Sequence, residues 1–225
     1  MARYSLLLGL TLLISCGQRK PAESPHAEPA RRSDPAVPTP ADTRPVIVAF
    51  GDSLSAGYGM ETGLSYPDFL QKELDRAGYR FRVINAGISG DTTNGGLARV
   101  ETVTALKPEI VILELGGNDG LRGLPLSTSR ANLEEIIVQL RKSGARVLLA
   151  GITLPPNYGP DYIQEFVGIY KDLAAKYKLP LIPFLLEGVG GHAGLMQRDG
   201  IHPNAEGSRI VAGNVMQVLE PLLKK

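Results

Sequence analysis

The sequence has no tryptophan and only one cysteine, and its positive and negative charges nearly cancel. A single cysteine excludes a disulfide within the chain and a cysteine-rich metal site. The 24 Lys and Arg residues are balanced by 23 Asp and Glu residues, which argues against the strong positive field of nucleic-acid-binding proteins. From Pro45 onward the balance is 18 basic to 19 acidic residues. Binding is therefore expected to depend on a pocket, with no nucleic acid, cofactor or metal.

The N-terminal residues have the pattern of an export signal. Arg3 precedes a short apolar run over residues 5–14, which is too short to span a bilayer and predicts a signal peptide over residues 1–15. Residues 13–16 resemble the lipobox of bacterial lipoproteins, in which cleavage leaves Cys16 as the first residue and the carrier of lipid. We expect an exported, membrane-anchored lipoprotein that faces the periplasm or the cell exterior. The alternative is an ordinary secretory signal with a leftover cysteine.

The composition then divides the chain into a linker and a domain. After the lipidated Cys16, the segment up to residue 44 is rich in proline and alanine and has almost no large apolar side chains. Such a segment cannot offset the entropy of ordering and predicts a disordered tether. Residues 45–225 have enough apolar content to form one domain with a full core.

Strands and helices alternate along this domain. Short apolar runs predict five strands, over residues 46–50, 81–85, 110–115, 146–150 and 179–184. Helical spacing predicts helices over residues 65–77, 92–106, 127–143 and 161–177, and from residue 204 onward, with Ser65 and Asn204 as N-caps. Alternating strands and helices predict a five-stranded parallel sheet covered on both faces, a three-layer αβα sandwich.

Ser53 is the candidate nucleophile. It follows the apolar run 46–50 after a glycine and an aspartate. Ligands bind beyond the carboxyl ends of strands in open parallel sheets, so this hydroxyl is expected to face a site. A serine nucleophile also needs a base, usually a histidine oriented by a carboxylate, and donors for the oxyanion that forms.

The domain offers two histidines as the base, His192 and His202. His202 follows Asp199 by three residues, so the carboxylate can hold the Nδ1 proton and leave Nε2 free to accept the proton of Ser53. Taken alone, such a pair is more often a capping aspartate beside a surface histidine. His192, in a glycine-rich loop, stays open as the alternative base.

Gly90 and Asn118 are the candidate oxyanion donors. Gly90 precedes a predicted helix, where its backbone N–H would have no intrahelical partner and would lie at the positive end of the helix dipole. Asn118 ends the third predicted strand and offers a side-chain amide. Either residue could serve only a turn. The adjacent Asp119 is interpreted as structural, because two neighbouring polar residues on a turn cannot easily face one pocket.

Four segments together identify a family resemblance. Residues 51–55, 88–91, 116–119 and 199–202 resemble the four sequence blocks of the SGNH (GDSL) hydrolases, in the order of that family, within residues 45–225. Residues 47–94, 115–123 and 154–159 are similar to the bacterial thioesterase I, arylesterase and lysophospholipase subgroup. The Gly-x-Ser-x-Gly motif of α/β-hydrolases is absent around Ser53, because Ser55 occupies the place of its second glycine.

The resemblance implies a flavodoxin-like fold and a set of site residues. Ser53 would be the nucleophile, and Asp199 and His202 would complete a catalytic triad. The oxyanion donors would be the backbone N–H groups of Ser53 and Gly90 and the side chain of Asn118. The expected activity is a serine esterase that acts on acyl esters, thioesters or lysophospholipids.

Two loops are expected to hold the acyl chain. The residues expected to line this groove are Leu121, Leu124, Leu154 and Pro155. One alternative function is an O-acetylesterase of carbohydrate or peptidoglycan on the same scaffold, which would favour a small acyl pocket and an aromatic cleft. The absence of tryptophan and the 6% aromatic content weaken it. The other alternative is a lipoprotein that binds a ligand without catalysis.

Overall fold

The five predicted strands form one parallel sheet. The computed structural model describes residues 42–223, and the predicted signal peptide, Cys16 and all but the end of the predicted tether lie outside them. The strands are Val46–Gly51 (β1), Arg82–Asn85 (β2), Ile110–Glu114 (β3), Arg146–Ala150 (β4) and Leu181–Ile182 (β5). Their order across the sheet is β2-β1-β3-β4-β5, and every neighbouring pair is parallel. Strands β1 and β3 are therefore neighbours in the interior of the sheet. They precede the candidate site residues Ser53 and Asn118.

Helices cover both faces of this sheet and complete the predicted three-layer sandwich. They are Ser53–Ala56 (α1), Tyr66–Arg76 (α2), Thr93–Ala98 (α3), Val100–Thr104 (α4), Gly117–Leu121 (α5), Leu126–Lys142 (α6), Pro160–Tyr177 (α7) and Ala205–Leu219 (α8). Helix α2 packs on α8, whereas α6 packs on α3, α4 and α7. Within the described residues, no helix has the length and apolar character needed to cross a bilayer.

The central strands are buried along their whole length. Every residue of β1 and β3 is buried, as their nearly continuous apolar sequences require of strands with helices on both faces. Glu114, the last residue of β3, is the one charged residue type in these two strands, and its carboxyl group is fully buried. Such a group needs partners at the end of the sheet.

Two predicted elements differ from the structure. The predicted helix 92–106 is divided into α3 and α4 at Arg99, whose backbone (φ −119°, ψ 10°) leaves the helical region. Gly95 and Gly96 weaken the first half, since glycine is a poor helix former. The predicted fifth strand, residues 179–184, is reduced to β5. Proline at positions 180 and 183 removes the backbone donors on either side of it.

The short helices α1 and α5 were not predicted. Each follows directly on a central strand, where the sequence predicted loops. Their consequence is geometric, because Ser53 and Asn118 are both held on a helical turn at the carboxyl edge of the sheet.

The predicted N-caps are confirmed. Ser65 and Asp68 form a reciprocal capping box at the start of α2. The side chain of Asn204 accepts a hydrogen bond of 3.0 Å from the backbone N–H of Gly207. Because α8 begins at this cap, the position of His202 is fixed by the helix that follows it.

Two glycines of α8 give a matched test of how closely this helix approaches the loop before it. A Cβ at Gly207 would lie 2.2 Å from the backbone oxygen of Leu195, whereas a Cβ at Gly213 would meet no atom within 4 Å. We expect Gly207→Ala to lower the free energy of unfolding by about 1–3 kcal/mol through overpacking. Gly213→Ala should raise it by about 0.5–1 kcal/mol, since alanine is the better helix former. Urea unfolding of both variants measures the difference, and equal effects would contradict the close approach.

Candidate active site

The hydroxyl of Ser53 and the ring of His202 meet at the carboxyl edge of the sheet. Ser53 is the first residue of α1, immediately beyond β1. His202 lies in the loop before α8, and its Nε2 is 2.8 Å from the Ser53 Oγ. The sequence separation of these residues is 149 positions, so only the fold brings them together.

Asp199 completes a chain of hydrogen bonds behind this pair. Its Oδ2 lies 2.7 Å from the Nδ1 of His202, and its Oδ1 accepts the backbone N–H groups of Ile201 and His202 at 2.9 and 3.0 Å. An Nδ1–H donated to the carboxylate leaves the Nε2 lone pair directed at the serine hydroxyl, which is the tautomer that a general base requires. The three side chains predicted from the sequence are thus arranged in order.

The loop that carries Asp199 and His202 is closed on itself. The backbone N–H of Gln197 donates to the carbonyl of His202 at 2.7 Å, and Met196 and Pro203 form an isolated β-bridge. The aspartate and the histidine are therefore held in a short loop that is tied at both ends, next to the cap of α8.

The ionised form of Asp199 is stabilised by these contacts. Partial burial opposes ionisation, but the hydrogen bonds from the His202 ring and from the two backbone N–H groups outweigh it and lower the pKa of Asp199 to about 2. Because the pKa is below its ordinary value, the contribution of Asp199 to stability is present above about pH 4 and is lost as the pH falls toward the folded pKa.

Tyr58 is a site residue that the sequence did not predict. Its ring centroid lies 4.7 Å from that of His202, and its carbonyl accepts a hydrogen bond of 2.7 Å from the side chain of Gln197. Tyr58 therefore ties the segment after Ser53 to the histidine loop. No motif of the sequence marked it, since the contact is between segments far apart in the chain.

Gly90 lies in the same cavity as Ser53, but the predicted reason for its position is wrong. Helix α3 begins at Thr93 with Thr92 as its N-cap, so Gly90 is not at a helix terminus. It occupies instead a turn in which the N–H of Asp91 donates to the carbonyl of Ile88, with a positive φ of 82° at Gly90 itself. The guanidinium of Arg122 donates to the Gly90 carbonyl at 2.9 Å and holds this turn.

Asn118 lies on α5, opposite this turn. Its Nδ2 donates to the Oδ2 of Asp52 at 3.0 Å and to the carbonyl of Asp91 at 2.9 Å. Both amide hydrogens therefore have acceptors in the protein, and an oxygen that enters the cavity would share or replace the Asp91 carbonyl. This arrangement links the segments that follow β1, β2 and β3.

The interpretation of Asp119 as structural agrees with its contacts. The side chain is buried and points away from the cavity lining, where its two oxygens accept the N–H of Thr93 at 2.8 Å, the Thr93 hydroxyl at 2.6 Å and the Ser129 hydroxyl at 3.1 Å. Asp119 therefore joins α3 to α5 and α6.

Arg99, at the break between α3 and α4, connects the segments that follow β1 and β2. Its guanidinium donates to the carbonyls of Gly51 and Ala86 at 2.9 and 2.8 Å and to the carboxylate of Asp91 at 2.7 Å. It also stacks over the ring of Phe50, 4.5 Å from the ring centroid. One side chain thus fixes the ends of β1 and β2 and the residue after Gly90. The sequence did not predict it, because its partners are mostly backbone atoms.

Two buried carboxyl groups, those of Asp52 and Glu114, lie beside Ser53 on the sheet side. The Oε2 of Glu114 accepts the backbone N–H of Asp52 at 3.1 Å and the Ser55 hydroxyl at 2.8 Å. Its Oε1 is buried and has no hydrogen-bond partner among the described residues. Burial and the neighbouring charge of Asp52 raise the pKa of Glu114 well above its usual range. The raised pKa favours the protonated form, in which Glu114 is a donor as well as an acceptor.

A cavity of about 710 Å³ opens in front of these groups. Ser53, Gly90, Asn118 and His202 lie on its wall. The remainder of its lining is mainly apolar and includes Leu121, Ile152, Leu154, Pro155, Phe184, Leu186, Met196 and Ile201.

Three of the four residues predicted to line a groove do so, and Leu124 does not. After α5 the chain turns at Gly123, which has a positive φ of 64°, and the N–H of Leu124 returns to the carbonyl of Asp119. This turn leaves the Leu124 side chain 37% exposed on the surface.

The alternative base, His192, is not part of this arrangement. It is exposed in the loop after β5, and its N–H donates to the carbonyl of Val189. Within residues 42–223, no group of three or more His, Cys, Asp or Glu side chains is arranged to hold a metal ion.

Comparison with known proteins shows the family of the chain. The model of the GDSL-like lipase/acylhydrolase family matches residues 49–210. The esterase TesA of Pseudomonas aeruginosa is 49% identical over 178 residues, which cover 79% of this chain and 89% of that protein. The thioesterase 1/protease 1/lysophospholipase L1 of Escherichia coli K12 is 40% identical over 178 residues, or 79% of this chain and 84% of that protein.

A solved structure shows the same fold. The crystal structure of TesA superposes with a TM-score of 0.77 at 49% identity, over 79% of this chain and 99% of that one. The predicted fold class is confirmed.

Replacing Glu114 by glutamine tests the proton on the buried pair. In the unfolded chain Glu114 loses its proton near its ordinary pKa, whereas the folded protein retains it to higher pH. The unfolded state then binds fewer protons, so the free energy of unfolding falls as the pH rises. Glu114→Gln cannot ionise and keeps a donor toward Asp52, so its stability relative to the unmodified protein should increase between about pH 5 and about pH 8.

Urea unfolding at several pH values measures this difference. Glu101→Gln is the matched control, because water solvates that exposed side chain in both the folded and the unfolded chain. A constant difference between Glu114→Gln and the unmodified protein across the pH range would mean that Glu114 is ionised in the folded state.

Proposed function

Because the chain belongs to the GDSL-like lipase/acylhydrolase family, we propose that it hydrolyses carboxylic ester and thioester bonds of acyl substrates through an acyl-enzyme on Ser53. The observation that carries the proposal is the continuous chain of hydrogen bonds from Ser53 through His202 to Asp199. That chain lies on the wall of a largely apolar cavity. Two of its relatives are named as an esterase and a thioesterase, which are hydrolases of the same class.

Each of the three side chains has a defined role in the proposed mechanism. The Oγ of Ser53 attacks the acyl carbon while the Nε2 of His202 accepts the hydroxyl proton. The tetrahedral intermediate expels the alcohol or thiol, which takes that proton from His202. Water then attacks the acyl-enzyme by the same route, and the carboxylic acid leaves with Ser53 restored. Asp199 holds the ring of His202 and stabilises its charged form.

The oxyanion of the intermediate is proposed to be bound by three donors. They are the backbone N–H groups of Ser53 and Gly90 and the side-chain amide of Asn118, which all border the cavity. The amide of Asn118 would exchange its bond to the Asp91 carbonyl for one to the substrate, while Asp52 keeps its other hydrogen oriented.

The apolar lining supports acyl chains longer than acetyl. Leu121, Leu154 and Pro155 border a cavity whose volume of about 710 Å³ is far more than an acetyl group fills. An O-acetylesterase would gain little from this apolar surface. The esters and thioesters of medium or long acyl groups, lysophospholipids included, are therefore the proposed substrates.

The proposed function is tested by hydrolysis of p-nitrophenyl esters from acetyl to palmitoyl, beside acyl-CoA and lysophospholipid. The rate should depend on Ser53, so that Ser53→Ala abolishes nearly all of it, and should persist or rise with chain length. A rate confined to acetyl esters would favour the O-acetylesterase. The absence of any serine-dependent rate, together with no labelling of Ser53 by a fluorophosphonate, would favour a binding protein.

Asn118→Ala tests the proposed oxyanion donor. Losing one such donor should lower kcat by about 10²–10³, with little change in KM, because the interaction forms mainly in the transition state. Thermal unfolding of the variant separates this effect from a loss of structure, since the side chain also bonds to Asp52 and Asp91. Near-normal turnover on every ester would rule the role out.

The proposed localisation is an exported lipoprotein anchored through Cys16, which lies outside the described residues. In cells that take up a radiolabelled lipid precursor, the protein should become labelled. The Cys16→Ser variant should carry no label. If the unmodified protein is secreted without label, the lipid anchor is ruled out and the N-terminal segment is an ordinary secretory signal.

A further inference from the structure

The near-zero net charge of the domain conceals an uneven distribution. The amino ends of the parallel strands and the carboxyl ends of α2, α6 and α7 lie at the edge of the sheet opposite the cavity. We call this surface the basic edge, because six exposed basic residues without an ion pair among the described residues lie there. They are Arg76, Arg80, Lys107, Arg141, Lys142 and Lys178.

The acidic side chains at the basic edge are fewer than the basic ones. Asp42 and Asp75 pair with Arg44 at 2.8 and 3.7 Å, and Glu109 makes an ion pair with Arg146 at 2.6 Å. Glu220 accepts a hydrogen bond of 3.1 Å from the neutral Tyr79 hydroxyl and keeps its negative charge. The six unpaired basic groups therefore leave this edge with an excess of positive charge.

The basic edge also contains a depression of about 580 Å³. Arg80 and Arg146 are on its wall, together with Pro45, Phe81 and the pairing residue Glu109. The guanidinium of Arg146 is engaged by Glu109 and by the carbonyl of Leu222, so Arg80 is the group that can bind the phosphate oxygens of an anionic headgroup there.

The opposite edge has no such excess. Around the cavity the exposed acidic residues Glu61, Asp161, Glu187 and Asp199 are nearly balanced by Arg122, Arg198 and Lys72, whose Nζ donates to the carbonyl of Gly63. The excess of positive charge is thus confined to one end of the strands. The near-zero net charge argues against a strong electrostatic field around the whole domain, but it does not exclude a local positive surface.

We propose that the basic edge docks on an anionic lipid surface, with the mouth of the cavity directed away from that surface. Residues Asp42 to Pro45, the first described residues, lead into β1 at this same edge, which would face the lipid. Attraction of basic groups to anionic lipids adds to membrane binding. Each basic group near an anionic surface adds about fivefold to the partition coefficient.

This docking has a consequence for the substrate. Because the cavity opens at the far edge, acyl substrates would reach Ser53 from the aqueous side and not from the bilayer on which the domain lies. The docking does not depend on the chemistry at Ser53, so ester hydrolysis in solution is unaffected by its success or failure.

The first test is sedimentation of the full-length chain with vesicles of phosphatidylcholine alone or mixed with phosphatidylglycerol. Three charges of the basic edge are removed in one variant, Arg76→Gln, Arg80→Gln and Lys142→Gln. A control variant removes three from the helix flanks, Lys72→Gln, Lys171→Gln and Arg209→Gln. The edge variant should bind the anionic vesicles at least tenfold more weakly, and the control should bind as the unmodified protein does.

Salt separates this binding from that of an apolar anchor. Binding through the basic edge should weaken when salt rises from about 0.05 M to about 0.5 M, because the Debye length shrinks. Equal binding to both kinds of vesicle, insensitive to salt and to the edge variant, would overturn the proposal. So would tighter binding of an RNA oligonucleotide than of the anionic vesicles, which would assign the edge to nucleic acid.

The second test measures orientation and uses the absence of tryptophan in the chain. Leu106, 40% exposed beside Lys107, and Ile88, 51% exposed near the cavity, are each replaced by tryptophan in separate variants. In anionic vesicles with brominated lipid, the fluorescence of Leu106→Trp should be quenched and that of Ile88→Trp should not. Quenching of Ile88→Trp alone, or of neither, would overturn the orientation.

Discussion

The buried carboxyl group of Glu114 constrains the end of the sheet more than any other group. It terminates β3 within an apolar core, and its nearest donors are the backbone N–H of Asp52 and the hydroxyl of Ser55, which flank Ser53. A group so far from water depends on the protein for its hydrogen bonds, and the turn after β1 supplies the two that its Oε2 accepts. The position of Ser53 is therefore coupled to the solvation of a carboxyl group behind it, before any substrate is present.

The same logic extends from Asp52 to the rest of the site. Asp52 accepts the N–H of Leu54 and the amide of Asn118, while Arg99 binds the carbonyl of Gly51 and the carboxylate of Asp91. The bonds of Asn118 to Asp52 and of Arg99 to Gly51 join the segment after one strand to the segment after another, and the other two stiffen a segment from within. Because the groups are mostly buried, loss of one partner leaves another unsatisfied, so the loops are held as a unit. The cavity wall that faces the substrate is correspondingly preorganised.

Much of this arrangement could be predicted from the sequence, because the responsible signals are local. Apolar runs define β1, β3 and β4, and the side chains that follow them identify Ser53, Asn118 and the Asp199 to His202 segment. What could not be predicted depends on contacts between distant segments. Arg99 bonds mostly to backbone atoms, and Tyr58 meets His202 only in the folded chain. Glu114 has a local signal as well, since it is a lone charge at the end of an apolar run.

The pairing of Ser53 with His202 also has a consequence in time. The ribosome adds about 5–20 residues per second, so the 149 positions between the two residues require roughly 7 to 30 s of synthesis. Throughout that interval the nascent chain contains Ser53 without the imidazole that pairs with it. Since β1 is the first strand made and the histidine loop comes after the last, any chemistry that depends on this pair must wait until nearly the whole domain has been synthesised and folded.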